Sequence, residues 1–60
     1  METLRLELTG SQAMALAQLV KRIKLSDLRA NAVDEEEAYV MQEAVEQLRL
    51  ALSESGFNPR

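Results

Sequence analysis

The sequence has 60 residues, enough for one small domain, residues 1–60, that buries about 60% of the surface its unfolded chain exposes. It contains no cysteine and no histidine, so disulfides, thiolate metal sites and a histidine general base are excluded. A net charge of −3 argues against nucleic acid and anionic membrane as partners, and no apolar run approaches the roughly 20 residues that span a bilayer. We therefore expect a cytoplasmic protein.

The first predicted element is a β-strand over residues 3–9. Leu4, Leu6 and Leu8 alternate with polar residues, and a period of two is typical of a half-buried strand. A lone strand leaves one row of backbone groups unpaired. We therefore expect these leucines to face a partner chain or the helices.

The second element is an amphipathic helix over residues 10–24. Thr9 and Gln12 have the spacing of a capping box, in which the side chain of each residue accepts a hydrogen bond from the backbone of the other. An apolar stripe follows at helical spacing. Its members are Ala13, Leu16, Ala17, Val20 and Ile23.

Residues 25–33 form a connector whose conformation the sequence leaves open. Ser26 and Asp27 have the chemistry to cap a short helical turn, with Leu25 and Leu28 beneath it. We read the segment as a structured connector, and the stretch "RANAV" could also hold a second short strand. Both readings are kept.

A second long helix is predicted over residues 35–55. Its apolar residues recur every three or four positions, as an amphipathic helix requires. Gly56 stands at the position of a left-handed C-terminal residue, and Phe57 can fold back on Leu52 in a Schellman arrangement. Pro59 is a stop signal, and residues 57–60 are expected to fray.

Four consecutive acids, Asp34 to Glu37, stand at the start of this helix. Asp34 is a good N-cap residue, and Glu37 stands three residues later, as in a capping box. Helix initiation therefore explains the run. A calcium loop would need a glycine and alternating oxygen ligands, and the run has neither. Glu35 and Glu36 are also candidates for docking a basic partner.

A basic cluster lies around the end of the first long helix. It comprises Lys21, Arg22, Lys24 and Arg29. Cations at a helix C-terminus complement the helix dipole, which is a sufficient structural explanation. The alternative is a docking patch for an acidic partner or a phosphate backbone.

Tyr39 lies off the main apolar stripe, so a core or dimer-interface position is expected for it, together with Leu4, Leu6 and Leu8. No serine has an activating histidine or lies in a nucleophile elbow, and no glycine-rich phosphate loop is present. We expect no enzyme activity, no cofactor and no metal.

The order strand, helix, helix resembles that of the ribbon-helix-helix repressors, and "LRLELTGSQAMALAQLV" carries the pattern. That resemblance implies a dimer whose paired strands enter the major groove of DNA. Two features depart from it. The acids Asp34 to Glu37 would repel a phosphate at the start of the second helix. The connector is also longer than the family's turn.

Over nearly its full length the chain is similar to short uncharacterised proteins encoded on integrative and conjugative elements and plasmids of Gram-negative bacteria. The similarity lies in "LRLELT", "SDLRANAVDEEEAY" and "GFNPR". It implies an accessory role on mobile DNA, in regulation or in interference with a host defence system, and no particular site residues.

The sequence thus predicts a mainly α protein of β-α-α order that forms an intertwined or strand-paired homodimer. The function expected first is a dimeric module that binds another protein. Two alternatives remain open at this point. One is a ribbon-helix-helix transcriptional regulator that contacts DNA through Arg5 and the basic cluster. The other is an acidic inhibitor of a defence protein.

Overall fold

The computed structural model describes residues 1–58, which contain three α-helices. They are α1 (Gly10–Arg22), α2 (Leu25–Asn31) and α3 (Glu35–Glu54). The mainly α class is confirmed. The predicted β-α-α order is wrong, because residues 1–9 form no strand and residues 25–31 form a helix. A strand needs a hydrogen-bonding neighbour, and no second strand exists among the described residues to supply one.

The start of α1 is held by the predicted capping box. Thr9 Oγ1 accepts from the Gln12 N–H at 3.1 Å, and the Thr9 N–H donates to Gln12 Oε1 at 2.9 Å. Thr9 itself is extended, with φ −68° and ψ 163°. The predicted box is confirmed, and it fixes the direction in which residues 1–8 leave α1.

The second helix, α2, occupies most of the predicted connector. Its start is held by the Lys24 N–H, which donates to the Asp27 carboxylate at 2.8 Å. The Asn31 side-chain amide donates to the Asp27 carbonyl at 2.8 Å and braces the last turn. Leu28 is the buried residue of α2, and α2 packs against α3 rather than α1. No strand forms at "RANAV".

The long helix α3 begins at the acids. Asp34 Oδ1 accepts from the Glu37 N–H at 2.8 Å, so Asp34 is the N-cap as predicted. The Glu37 carboxylate accepts from the Val33 N–H at 3.0 Å, one residue earlier than in a standard capping box. Two of the four acids are therefore occupied in starting the helix.

The C-terminus of α3 is a Schellman motif. Gly56 has φ 90°, the Phe57 N–H donates to the Leu52 carbonyl at 2.9 Å, and the Gly56 N–H donates to the Ser53 carbonyl at 3.0 Å. Phe57 packs against the core, and the Ser53 hydroxyl bonds to Asn58 at 2.8 Å. The predicted left-handed glycine is confirmed. Pro59 and the last part of the predicted frayed tail lie outside the described residues.

The core between α1 and α3 is built largely of small side chains. Its buried members are Ala13, Ala17, Val20 and Leu52, and it is lined by half-buried Leu16, Val45, Leu48 and Phe57. No large side chain is completely buried in the described chain. The radius of gyration is 12.2 Å, above the roughly 10.4 Å expected for a compact 60-residue domain. The molecule is therefore less compact than its length predicts.

Candidate interaction surface

The charged candidates form one close contact across the α2–α3 turn. Arg29 Nε donates to Glu35 Oε1 at 2.8 Å, and both side chains are about half exposed. The hydrogen bond with Glu35 raises the pKa of the Arg29 guanidinium, and the Tyr39 hydroxyl adds a smaller contribution in the same direction. Two predicted docking residues and one predicted interface residue therefore lie together as an exposed cluster at one end of the molecule.

The remaining basic candidates are exposed and separate from this cluster. Arg22 donates to Gln18 Oε1 at 3.2 Å, and the Lys24 backbone caps α2. Lys21 lines a groove between α1 and α3. Among residues 1–58 the salt bridges are Arg5–Glu7, Arg29–Glu35 and Arg49–Glu46, so none of these three cations is paired with a carboxylate there.

The acidic candidates divide in the same way. Glu35 is engaged by Arg29, whereas Glu36 is exposed beside Val33 and Val40 on a shallow surface. Within the described part of the chain no three acidic side chains come close enough to hold a metal ion. Of the two acids predicted to dock a basic partner, Glu36 is therefore fully available and Glu35 is available only at its exposed edge.

The three predicted interface leucines lie in the N-terminal segment, which we define as residues 1–8. Leu4 is 90% exposed, Leu6 is 64% exposed, and Leu8 is at the border of exposure. Neither Leu4 nor Leu6 is covered by the helices. The segment therefore presents an apolar edge with nothing packed on it in the single chain.

Sequence reasoning missed Arg49, which joins α3 to α1. Its guanidinium donates to the Val20 carbonyl, in the last turn of α1, and pairs with Glu46. The last carbonyls of a helix have no partner within the helix, so an arginine from another element satisfies one of them. The available signal was its position: at 100° per residue, Arg49 lies next to the stripe that contains Leu48 and Leu52.

Sequence reasoning also missed a surface formed by α1 and α3 together. At 100° per residue, Leu16, Leu19 and Ile23 fall on one side of the α1 axis. On α3, three apolar residues lie at successive steps of about 40° around the helix axis, leading away from its buried residues Ala38 and Leu52. They are Leu48, Ala44 and Val40.

Lys21 and Arg49 line one groove between the two helices. At 100° per residue, Leu16 and Leu48, which pack against the core, fall on the other side of the buried stripe of their helix. We therefore infer that the two sets lie on the same side of the helix pair. We call this side the uncharged face. It consists of Leu16, Leu19, Ile23, Val40, Ala44, Leu48 and Ala51.

The uncharged face is open to solvent. None of its seven residues is ionisable, and the acids Glu36 and Glu37 border it at Val40. Leu19 is 57% exposed and Val40 is 58% exposed. By contrast Leu50, which is 54% exposed, lies on another side of α3 beside Glu43 and Glu46. Isolated exposed leucines are ordinary on protein surfaces, whereas a contiguous apolar face without charge is typical of an interaction site.

None of the helices among the described residues is both long and apolar enough to cross a membrane. No curated protein matches the chain, and no solved structure matches it either. A family model of unknown function, DUF7706, matches residues 1–60, the whole of the sequence. The chain therefore belongs to DUF7706, a family to which no function is assigned.

Proposed function

We propose that this protein is a protein-interaction module that works as a homodimer, with the uncharged face as the surface shared by the two copies. The observation that carries the proposal is that face: partly or largely exposed apolar side chains of α1 and α3, none of them ionisable, fall on the side of the helix pair away from Lys21 and Arg49. The exposed charged residues around it, including Glu36 and the Arg29–Glu35 pair, are then left for a further protein partner.

The accessible surface supports a partner of this kind. The chain exposes 5063 Å², whereas a monomer of its mass is expected to expose about 3,900 Å². The difference, roughly 1,200 Å², exceeds the 800 Å² or so that each partner contributes to a standard interface. A second copy is the partner that is present wherever the chain is made, so it is the occupant we assign.

The composition of the core supports the same conclusion. A 60-residue chain without disulfides or metal has a marginal core, and oligomerisation is the remaining common means of stabilising it. Burying the exposed half of Leu19 and of Val40 on a partner contributes about 1 kcal/mol each. Because a two-fold interface uses each residue twice, a small face gains stability from both copies.

Sedimentation equilibrium tests the proposal at micromolar protein concentrations. We expect the wild-type chain to be a dimer and Leu19→Lys to shift it to monomer, since the interface would then bury two lysines. Leu50→Lys is the matched control, because it makes the same change at nearly the same exposure, also near a helix C-terminus, outside the face. A monomeric wild type, or equal effects of the two substitutions, would contradict the proposal.

The other expected functions lead to different measurements. A ribbon-helix-helix regulator would shift an operator DNA fragment with a strong dependence on salt, and an acidic inhibitor would act through the exposed carboxylates rather than the uncharged face. The role on mobile DNA rests on the sequence resemblance, and the genes adjacent to the family's members are the material that tests it.

A further inference from the structure

The helix α2 is joined to the rest of the fold through α3 alone. In the part of the chain that the structure describes, no Cα atom of α2 lies within 8 Å of one in α1, whereas α2 packs against α3. Leu28 of α2 is buried, and Ala38 of α3 is buried completely where the two helices meet. Neither residue belongs to the hydrophobic cluster between α1 and α3. The α2–α3 contact is therefore a second, smaller core that is separate from the first.

The helix α2 has little stability of its own. Its seven residues make about two turns, which is too short for a stable isolated helix. The Lys24 N–H donates to the Asp27 carboxylate, and the Asn31 amide donates to the Asp27 carbonyl. These bonds support the helical conformation, but they do not attach α2 to α3. Its attachment therefore depends on one buried leucine and on the polar contacts of Arg29.

The polar contacts of Arg29 are exposed to solvent. Its Nε donates to Glu35 Oε1 at 2.8 Å, and the Tyr39 hydroxyl is a second partner of the guanidinium. The side chains of Arg29 and Glu35 are 48% and 56% exposed, so salt screens their attraction. An exposed pair of this kind changes an equilibrium constant by about fivefold at most. The pair is therefore strong enough to bias the position of α2 and weak enough to be broken.

The packing of α1 on α3 does not require α2. Ala17, Val20 and Leu52 are buried between those two helices, and the Arg49 guanidinium donates to the Val20 carbonyl. None of these contacts includes a residue of α2. Elements with few buried apolar contacts open at a lower free energy than the core, often as contiguous units. By this criterion α2 is the first of the three helices to open.

We propose that α2 opens and closes over Ala38 while α1 and α3 stay packed, and that the Arg29–Glu35 pair makes this opening sensitive to ionic strength. At 100° per residue, Ala38 lies within about 40° of Val45 and Leu52 around the axis of α3. The open state therefore extends that apolar stripe into the N-terminal half of α3, and the closed state covers it. The opening does not depend on the homodimer proposed above, because the uncharged face contains no residue of α2.

Hydrogen exchange of the unmodified protein tests the opening. We expect the backbone amides from Leu28 to Asn31 to exchange at least about tenfold faster, relative to their rates in an unfolded chain, than the slowest amides of α1 and α3. Low concentrations of urea should hardly change these rates, because a local opening exposes little surface. Equal protection of all three helices, with the same dependence on urea, would show that α2 opens only in global unfolding and would refute the proposal.

A single thiol placed beneath α2 gives an independent measurement. The chain contains no cysteine, so Ala38→Cys introduces one thiol and no other. Ala17→Cys is the matched control, because Ala17 is 1% exposed and Ala38 is 0% exposed, and Ala17 lies in the core between α1 and α3. We expect a water-soluble disulfide reagent to label Ala38→Cys at least about tenfold faster than Ala17→Cys.

Two results of this labelling would count against the opening. Equal labelling rates of the two variants would refute it. Rapid labelling of Ala38→Cys, combined with full amide protection of α2 in the unmodified protein, would show that the substitution itself displaces α2 and would also refute it.

The effect of ionic strength is tested in the Ala38→Cys background. Sodium chloride and Arg29→Gln should each raise the labelling rate by up to about fivefold, and salt should have no further effect once Arg29 is replaced. Arg22→Gln is the matched control, since Arg22 is also an exposed arginine in the last turn of its helix and bonds Gln18 rather than α3. Equal acceleration by the two replacements, or an undiminished salt effect without Arg29, would refute the role of the pair.

Discussion

The two glycines of this chain allow the backbone conformation at the end of α3 to be tested without interference from packing. Gly56 has φ 90°, and a Cβ built on either Gly56 or Gly10 meets no atom within 4 Å. Replacing either glycine with alanine therefore creates no clash. The difference between the two substitutions must come from the backbone.

At Gly56 an alanine is forced into a left-handed conformation, which costs roughly 1–2 kcal/mol. The lower entropy of the unfolded alanine chain offsets about 0.4–1 kcal/mol of this cost. We expect Gly56→Ala to lower the free energy of unfolding by about 1 kcal/mol. Gly10 lies in the first turn of α1 at an ordinary helical conformation, so Gly10→Ala should raise it by about 0.5 kcal/mol.

Thermal unfolding followed by circular dichroism measures the difference. A separation of about 1.5 kcal/mol corresponds to roughly 6–12 °C in Tm for a domain of this size. All samples need the same protein concentration, because self-association raises Tm by mass action. Shifts of the same sign in the two variants would refute the left-handed cap as the source of the effect.

Three further predictions concern the helix ends. Asp34→Ala should lower the free energy of unfolding by about 0.5–2 kcal/mol, because it removes the acceptor of the Glu37 N–H, whereas Glu36→Gln at the neighbouring exposed position should have a smaller effect. Arg49→Met should cost about 1 kcal/mol by leaving the Val20 carbonyl without its donor, as urea titration would show. Calcium, magnesium or zinc at millimolar concentration should leave Tm unchanged, since the acids already serve helix initiation.

Features of the fold that depend on a few adjacent residues were predictable from the sequence. The Thr9–Gln12 box, the Asp34 cap and the Gly56 terminus all follow from residues three to five positions apart. Their hydrogen bonds close within one turn of helix, so no tertiary information is needed to recognise them.

The N-terminal strand was mispredicted because alternation of apolar and polar residues predicts an apolar face. It does not show that a second strand is available for pairing. Leu4, Leu6 and Leu8 alternate as a strand requires, but strand pairing also needs backbone groups from another segment. The segment at "RANAV" was the available candidate within the chain, and part of it belongs to α2. Without that partner, residues 1–9 have no ladder to join.

The helix α2 was predicted only as a short capped turn, beside the alternative of a strand, for a related reason. Seven residues are too few for a stable isolated helix, so its existence depends on tertiary contact. Leu28 of α2 and Ala38 of α3 are both buried where the two helices pack. Ala38 is completely buried, and its small side chain allows α2 to approach α3 closely. The periodicity of the nine connector residues contains no information about that contact.

The distribution of side-chain size links the fold to the proposed surfaces. Ala13, Ala17 and Ala38 are buried, while Leu4, Leu19 and other large apolar residues are exposed. A self-sufficient monomer would place the large residues inside, since each removes more apolar surface from water. Small residues inside let the helices approach closely, and they leave the larger apolar area directed outward. The same inversion that thins the core therefore leaves the apolar side chains of the uncharged face available for packing on a second copy.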